Sequence, residues 1–216
     1  VHQVSALLDL EWVAGNKLPL GEHIASFVEA LTTHAAGVFD LISESLGAFI
    51  TSLTQLLLWV PPLVLIVLIA GLAFFLQRSI KLVVFVVLAL LLVVNLGYWE
   101  ASMETLSLVI CATIVCLLIG VPIGIAAAHR PWLEASLRPL LDLMQTIPTF
   151  VYLIPTLILF GLGVVPGLIS TVIFALPAPI RLTTLGIASV PKSLIEAGES
   201  FGATRSQLLW KVELPY

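Results

Sequence analysis

Four stretches of the chain carry no charged residue: 45–77, 82–99, 105–128 and 143–180. Crossing a hydrocarbon core of roughly 30 Å takes about 20 residues of apolar helix. The first three stretches therefore predict one span each, near 57–76, 82–99 and 105–128. The fourth is long enough for two, and Gly161, Gly163, Pro166 and Gly167 at its middle are a turn signal. It divides into spans near 140–161 and 166–187, which brings the expected number to five.

Upstream of the spans the period changes. From Ile24, apolar residues return at positions 28, 31, 35, 38, 42, 46, 49 and 53, the spacing of one helical face. Glu22, Glu29, Asp40 and Glu44 supply polar character between them. Such a helix can lie along a membrane surface. This one has no Lys/Arg face to attract anionic lipid, so burial against the spans is the preferred placement.

Composition agrees with a membrane protein. Of 216 residues, 60% are hydrophobic and 10% charged, against roughly 25% charged in a soluble domain. Mean hydropathy is +1.15. A net charge of −4 gives no electrostatic case for nucleic acid. Cys111 and Cys116 sit in one apolar run and read as small buried hydrophobes. The chain opens on Val1 with no basic leader and cleavage site, so no signal peptide is expected, and its first residues are expected to be missing.

Charge also sets orientation. Arg78 and Lys81 fall between spans one and two, and Arg130 and Arg138 between three and four. Arg181, Lys192, Arg205 and Lys211 lie at or after the end of span five. With alternating spans all eight share one side, the cytoplasm, and Lys17 alone falls opposite. The N-terminal tail is then outside and the closing segment inside.

Within the spans, Pro61, Pro62, Pro122, Pro148, Pro155, Pro177 and Pro179 each remove a backbone donor. Membrane helices tolerate this where neighbours or a water-lined cavity satisfy the freed carbonyl. Gly120 and Gly124 fit a close-packing GxxxG pattern or a chance pair. Span four opens with Asp142, Gln145, Thr146, Thr149 and Tyr152. Gln145, Thr149 and Tyr152 share a helical face if Pro148 does not reset the phase. That face either bonds to neighbouring helices or lines a translocation path. Asp142, near the cytoplasmic end, is read as solvated. No phosphate-binding loop, zinc-protease helix or nucleophile elbow is present. His2, His23, His34 and His129 are scattered and read as ordinary surface or interface residues.

The closing segment is different. Ser193 with Glu196, and Thr204 with Gln207, have capping-box spacing. Gly202 stands where a glycine would end a short helix, and Leu208, Leu209 and Val212 give the second an apolar face until Pro215. Local chemistry predicts two short helices with a glycine corner. Acidic residues and nearness to the membrane argue against a DNA-binding pair, which leaves a surface loop or a docking element for a cytoplasmic protein.

Written out, Glu196-Ala197-Gly198, three residues, Gly202, nine residues, Val212, one residue, Leu214-Pro215 resembles the EAA loop of ABC-importer permeases. Gly198 stands for the usual Ala and Val212 for the usual Ile. Residues 137–187 are similar to permeases for glycine betaine, proline betaine, choline and related compatible solutes. The resemblance implies an all-α integral membrane protein of type I ABC-importer permease (MetI-like) architecture. An extracytoplasmic tail over 1–56, two membrane helices over 57–99 and a permease core over 100–216 are expected, with the coupling loop at 191–215.

It further implies that the chain is not itself an enzyme and holds no cofactor, ATP being bound by a partner ATPase subunit. The other implied partners are a periplasmic or lipid-tethered substrate-binding protein, a second permease copy and membrane lipid. Glu196, Ala197, Gly198, Gly202, Leu208, Leu209, Val212, Leu214 and Pro215 would form the ATPase-coupling loop. Members of that family continue past the Leu-Pro pair with further spans, so a C-terminally incomplete chain is expected. The alternatives are a transporter or channel working without an ATPase, a permease for another small solute, and a membrane scaffold without transport.

Overall fold

The computed structural model describes residues 20–216, and all regular structure among them is helical. The expected tail residues 1–19, with His2 and Lys17, lie outside the described residues. Two compact units divide between Leu41 and Ile42. The amphipathic stretch expected as one helix is two: α1 (Leu20–His34) and α2 (Ala36–Trp59). Near the break, Thr33 and His34 side chains turn back onto the carbonyls of Glu29 and Ala30.

Residues from 42 onward build the second unit. The lower half of α2 buries Ile50 with Cys111, Ala112 and Leu168, flanked by Leu46 and Leu53. Burial against the spans, rather than an exposed surface position, is thus what this part of α2 adopts. By length and composition α2 also qualifies as a span, which the run of charges had not suggested.

Pro61 and Pro62 then restart the chain as α3 (Pro62–Gln77), with Pro62 in the first turn where its missing donor costs nothing. α3 and α4 (Ile80–Asn95) form a helical hairpin. Each has 16 residues, about 24 Å at 1.5 Å per residue, so both fall short of a full apolar crossing. Leu63, Val67, Leu68, Phe75, Phe85 and Leu88 are nonetheless exposed on this hairpin. Apolar exposure on that scale is foreign to a soluble monomer and suits lipid.

α5 (Trp99–Ala128) is the long central helix, 30 residues with Pro122 inside it. Its buried face is a stripe of small residues: Ser107, Cys111, Ala112, Cys116, Gly120, Gly124 and Ala127. Small side chains let backbones approach, the usual basis of helix association in lipid. The helix packed there most extensively is α9 (Pro177–Ala188), which continues α8 (Val164–Ala175) as a 25-residue span. A Cβ on Gly120 would lie 2.7 Å from Pro179 Cγ, and one on Gly124 would lie 2.6 Å from Thr183 Cβ and 2.8 Å from the Ile180 carbonyl oxygen. The GxxxG spacing therefore packs α5 on α9 within one chain. Thr184 Oγ1 adds a bond to the Gly124 carbonyl, 3.1 Å.

The expected fourth span is corrected. α6 (Pro131–Thr146) is bent by 94° from α7 (Thr149–Phe160). Pro148 is the cause: it has no N–H to give the Met144 carbonyl four residues back, and it holds Ile147 extended. The Gly161–Gly163 turn then folds α7 onto α8, as the turn signal predicts. Among the described residues, three helices have the length and apolar character to cross a membrane, or four if the bent pair counts as one.

Candidate functional site

The closing segment folds as two short helices at a corner. α10 (Lys192–Ser200) begins at Pro191, whose fixed φ of −59° is already suited to a helix start. The expected Ser193–Glu196 capping box does not form, because Pro191 starts the helix earlier and leaves Ser193 inside its first turn. Gly202 ends α10 at φ +76°. Its N–H bonds to the Glu199 carbonyl at 2.8 Å and that of Ala203 to Gly198 at 3.1 Å, the two bonds of a Schellman cap.

Thr204 then opens α11 (Arg205–Leu208) with the capping box expected there. Gln207 N–H donates to Thr204 Oγ1 at 3.3 Å, and Thr204 N–H to Gln207 Oε1 at 2.8 Å. The second helix does not run on in α form to Val212: Leu209–Glu213 is a π-helical turn, closed by Leu214 N–H on the Leu209 carbonyl. Such wide turns occur often at functional sites.

Leu208 is 6% exposed and locks the pair together. A Cβ on Gly198 would stand 2.5 Å from Leu208 Cδ2, so the glycine at this position makes room for that leucine. Leu209 and Val212 are half-buried. Glu196, Ala197 and Pro215 are exposed, as is Leu214. The outer surface of the corner is apolar, with Phe201 93% and Trp210 67% exposed. These two aromatics were missed at the sequence level, although bulky rings in a polar segment are a signal that could have marked them.

The proposed path face fares differently. Gln145 and Thr146 end α6 and Thr149 begins α7, all exposed, but the bend at Pro148 prevents one continuous face with Tyr152. Tyr152 instead donates its hydroxyl to the Met144 carbonyl at 3.1 Å. That is the carbonyl Pro148 leaves without a partner. Tyr152→Phe is expected to cost about 0.5–1.5 kcal/mol, the net worth of an ordinary, part-buried hydrogen bond, lowering the thermal midpoint in detergent. An unchanged midpoint would show that the hydroxyl is dispensable. Deeper in the hairpin, Thr156 and Ser170 hydroxyls lie 2.9 Å apart, both bonded to the Pro166 carbonyl.

Asp142 is not merely solvated. It accepts from Arg181 Nη2 at 2.5 Å and ties α6 to α9, beside a cleft of about 330 Å³ that Glu134, Arg138 and Leu185 also line. Both partners are substantially exposed, so the pair contributes little by itself. His129 is likewise no ordinary surface histidine: its Nε2 lies 3.0 Å from Glu213 Oε2, joining the end of α5 to the closing segment.

A bundle of apolar helices with a small-residue core, which carries one polar helix pair with an apolar corner, defines a helical membrane protein. Residues 120–216 match the family described as binding-protein-dependent transport system inner membrane component. The glycine betaine transport system permease protein OpuAB of Bacillus subtilis is 44% identical over 200 residues, covering 92% of this chain and 70% of the relative.

The glycine betaine/carnitine transport permease protein GbuB of Listeria monocytogenes is 42% identical over 201 residues, 92% of this chain and 71% of the relative. The glycine betaine/proline betaine permease protein ProW of Escherichia coli is 42% identical over 198 residues, with 56% of its own length covered. The chain belongs to the glycine betaine family of ABC transport permeases. Its fold is the MetI-like membrane fold, its place is the inner membrane, and as a permease subunit it is non-catalytic by itself. Permeases of such systems imply an ATPase partner and a substrate-binding protein.

Proposed function

We propose that the chain moves glycine betaine and related quaternary ammonium solutes, the proline betaine and choline class, into the cell, and that residues 191–215 receive the work of ATP hydrolysis. The observation that carries this is the helix pair 192–213, rigid at Gly202 and Thr204 and apolar at Phe201 and Trp210. A cytoplasmic ATPase subunit would seat that corner in an apolar groove. Closure of the ATPase pair would pull α10 and α11, and through Ser189–Pro191 the whole of α9. α9 carries α5 with it through the glycine contacts. Glu196 would orient the docking from the exposed face of α10.

Two permease copies, embedded in lipid, would flank the path, with Gln145, Thr146 and Thr149 at the α6–α7 break on its wall and Tyr152 holding that break. The substrate class rests on the three relatives. The orientation rests on the basic residues, which put the loop in the cytoplasm and the N-terminal tail outside.

The test is uptake of labelled glycine betaine by vesicles holding the full-length permease, its ATPase and its binding protein. Uptake is expected only with ATP, and persistence without the ATPase would defeat the reading. In the same vesicles, cysteines replacing Ser206 and Ser26 are expected to label from opposite faces. Labelling from one face would mean that α2 crosses as well.

A further inference from the structure

We infer that the cavity between the start of α7 and the end of α8 is a holding site for a quaternary ammonium group, with Phe150 and Phe174 as its aromatic wall. It rests on the quaternary ammonium class proposed as substrate and names the residues that recognise that class inside the membrane. The Gly161–Gly163 turn folds α7 onto α8, which brings Phe150 and Phe174 to one cavity of about 270 Å³. Thr149, Leu153, Ser170 and Thr171 share its wall.

The chemistry of that wall selects its occupant. None of its lining residues is charged, so an anion would find no ion pair there. Ser170 Oγ is bonded to the Pro166 carbonyl at 2.8 Å and to Thr156 Oγ1 at 2.9 Å. Thr171 Oγ1 donates to the Gly167 carbonyl at 2.8 Å. A hydroxyl has one proton, and both are spent on these bonds, so only lone pairs remain for a ligand. A quaternary ammonium has no N–H to satisfy, and the negative face of each ring attracts it. The Thr149 hydroxyl has no hydrogen bond among the described residues and is the donor left for the carboxylate of a betaine.

Neighbouring cavities lack this combination. The cleft beside Asp142 has no ring, and its carboxylates are already paired with Arg138 and Arg181. A larger cavity of about 500 Å³ on α5 and α9 also has no ring, but it shares Thr171 and so offers the solute a way onward.

Depth favours a solute over lipid. Phe174 stands ten residues after Val164, about 15 Å along the α8–α9 span and half of a roughly 30 Å core. The α6–α7 break meets the cavity at Thr149 and Phe150 and lies at the same depth. Irregular backbone within a membrane is tolerated only where it faces protein or a water-filled cavity. Pro148, Thr149 and Phe150 are exposed in the single chain, Phe150 at 78%. That surface therefore belongs to the path or to a second permease copy across it, not to acyl chains.

The experiment is uptake of labelled glycine betaine by the full-length permease reconstituted with its ATPase and binding protein, read as solute moved per ATP hydrolysed. Phe174→Leu and Phe150→Leu keep apolar bulk and remove the ring. Each is expected to lower that ratio about three- to tenfold. Phe174→Tyr is expected to keep most of it. Phe85→Leu, which removes an exposed ring from the α3–α4 hairpin, is the control and is expected to change nothing. A trifluorinated phenylalanine at position 174 separates packing from cation binding, because it keeps the shape and withdraws charge from the ring face. It is expected to lose as much as Phe174→Leu, and it carries the test should that variant fail to assemble. A trifluorinated ring or leucine variants that transport like the wild type, or an equal loss in Phe85→Leu, would overturn the inference. A wild-type complex that moves no glycine betaine would instead overturn the proposed function.

Discussion

Gly124→Ala is expected to destabilise the bundle by about 1–3 kcal/mol, the usual result of forcing a methyl group into a filled interior. The added carbon would stand 2.6 Å from Thr183 Cβ and 2.8 Å from the Ile180 carbonyl oxygen. Neither neighbour is the loose end of a side chain: one is attached directly to its backbone and the other is backbone. α5 and α9 must therefore separate, and the Thr184 bond to the Gly124 carbonyl stretches with them. A lowered midpoint of thermal unfolding in detergent is the readout. Gly71→Ala, where a Cβ meets nothing within 4 Å, is the control. Equal midpoints for the two variants would show that α5 and α9 are not held at this distance.

Gly202→Val is expected to reduce stimulation of the partner ATPase about tenfold while leaving membrane insertion intact. Nothing lies within 4 Å of a Cβ at this position, so packing is not the issue. The backbone is: φ is +76°, and a left-handed conformation costs a side-chain-bearing residue roughly 1–2 kcal/mol, more if β-branched. Losing that corner releases the Schellman bonds of Glu199 and Gly198 and turns Phe201 away from its presented position. Gly202→Asn, which tolerates the left-handed region, is expected to keep most of the stimulation. ATP hydrolysis by the reconstituted complex measures both, and equal loss in the two variants would point to contact rather than conformation.

Much of the fold was legible in one dimension because lipid and helix geometry act on short segments. Charge-free runs marked α5, the α8–α9 span and the α3–α4 hairpin. The turn at Gly161–Gly163 and the Thr204 capping box follow from bonds made within a few residues. What failed did so where a local cue competed with a nearby proline. Pro191 overrode the Ser193 cap, and Pro148 turned the expected fourth span through 94°. The polar face of Gln145, Thr149 and Tyr152 depended on unbroken helical phase, and the break removed that condition.

The candidate site divides in the same way. Spacing from Glu196 to Pro215 identified the loop and its corner, because that spacing encodes two helix ends. The roles of Gly198 and Glu213 could not be seen there. Gly198 matters because Leu208, ten residues on, fills the space beside it. Glu213 matters because His129, far away in the chain, lies 3.0 Å from it.

By itself, then, the sequence determined that this protein is a helical membrane subunit with a projecting, glycine-cornered loop, since hydrophobic runs, charge bias and capping act through neighbours. Only the tertiary structure decided that Gly120 and Gly124 serve α9, that Tyr152 bonds to the carbonyl left over by Pro148, and that His129 meets Glu213 of the closing segment. Each of these is a contact whose partner is chosen by the packing of helices and not by any residue's near neighbours.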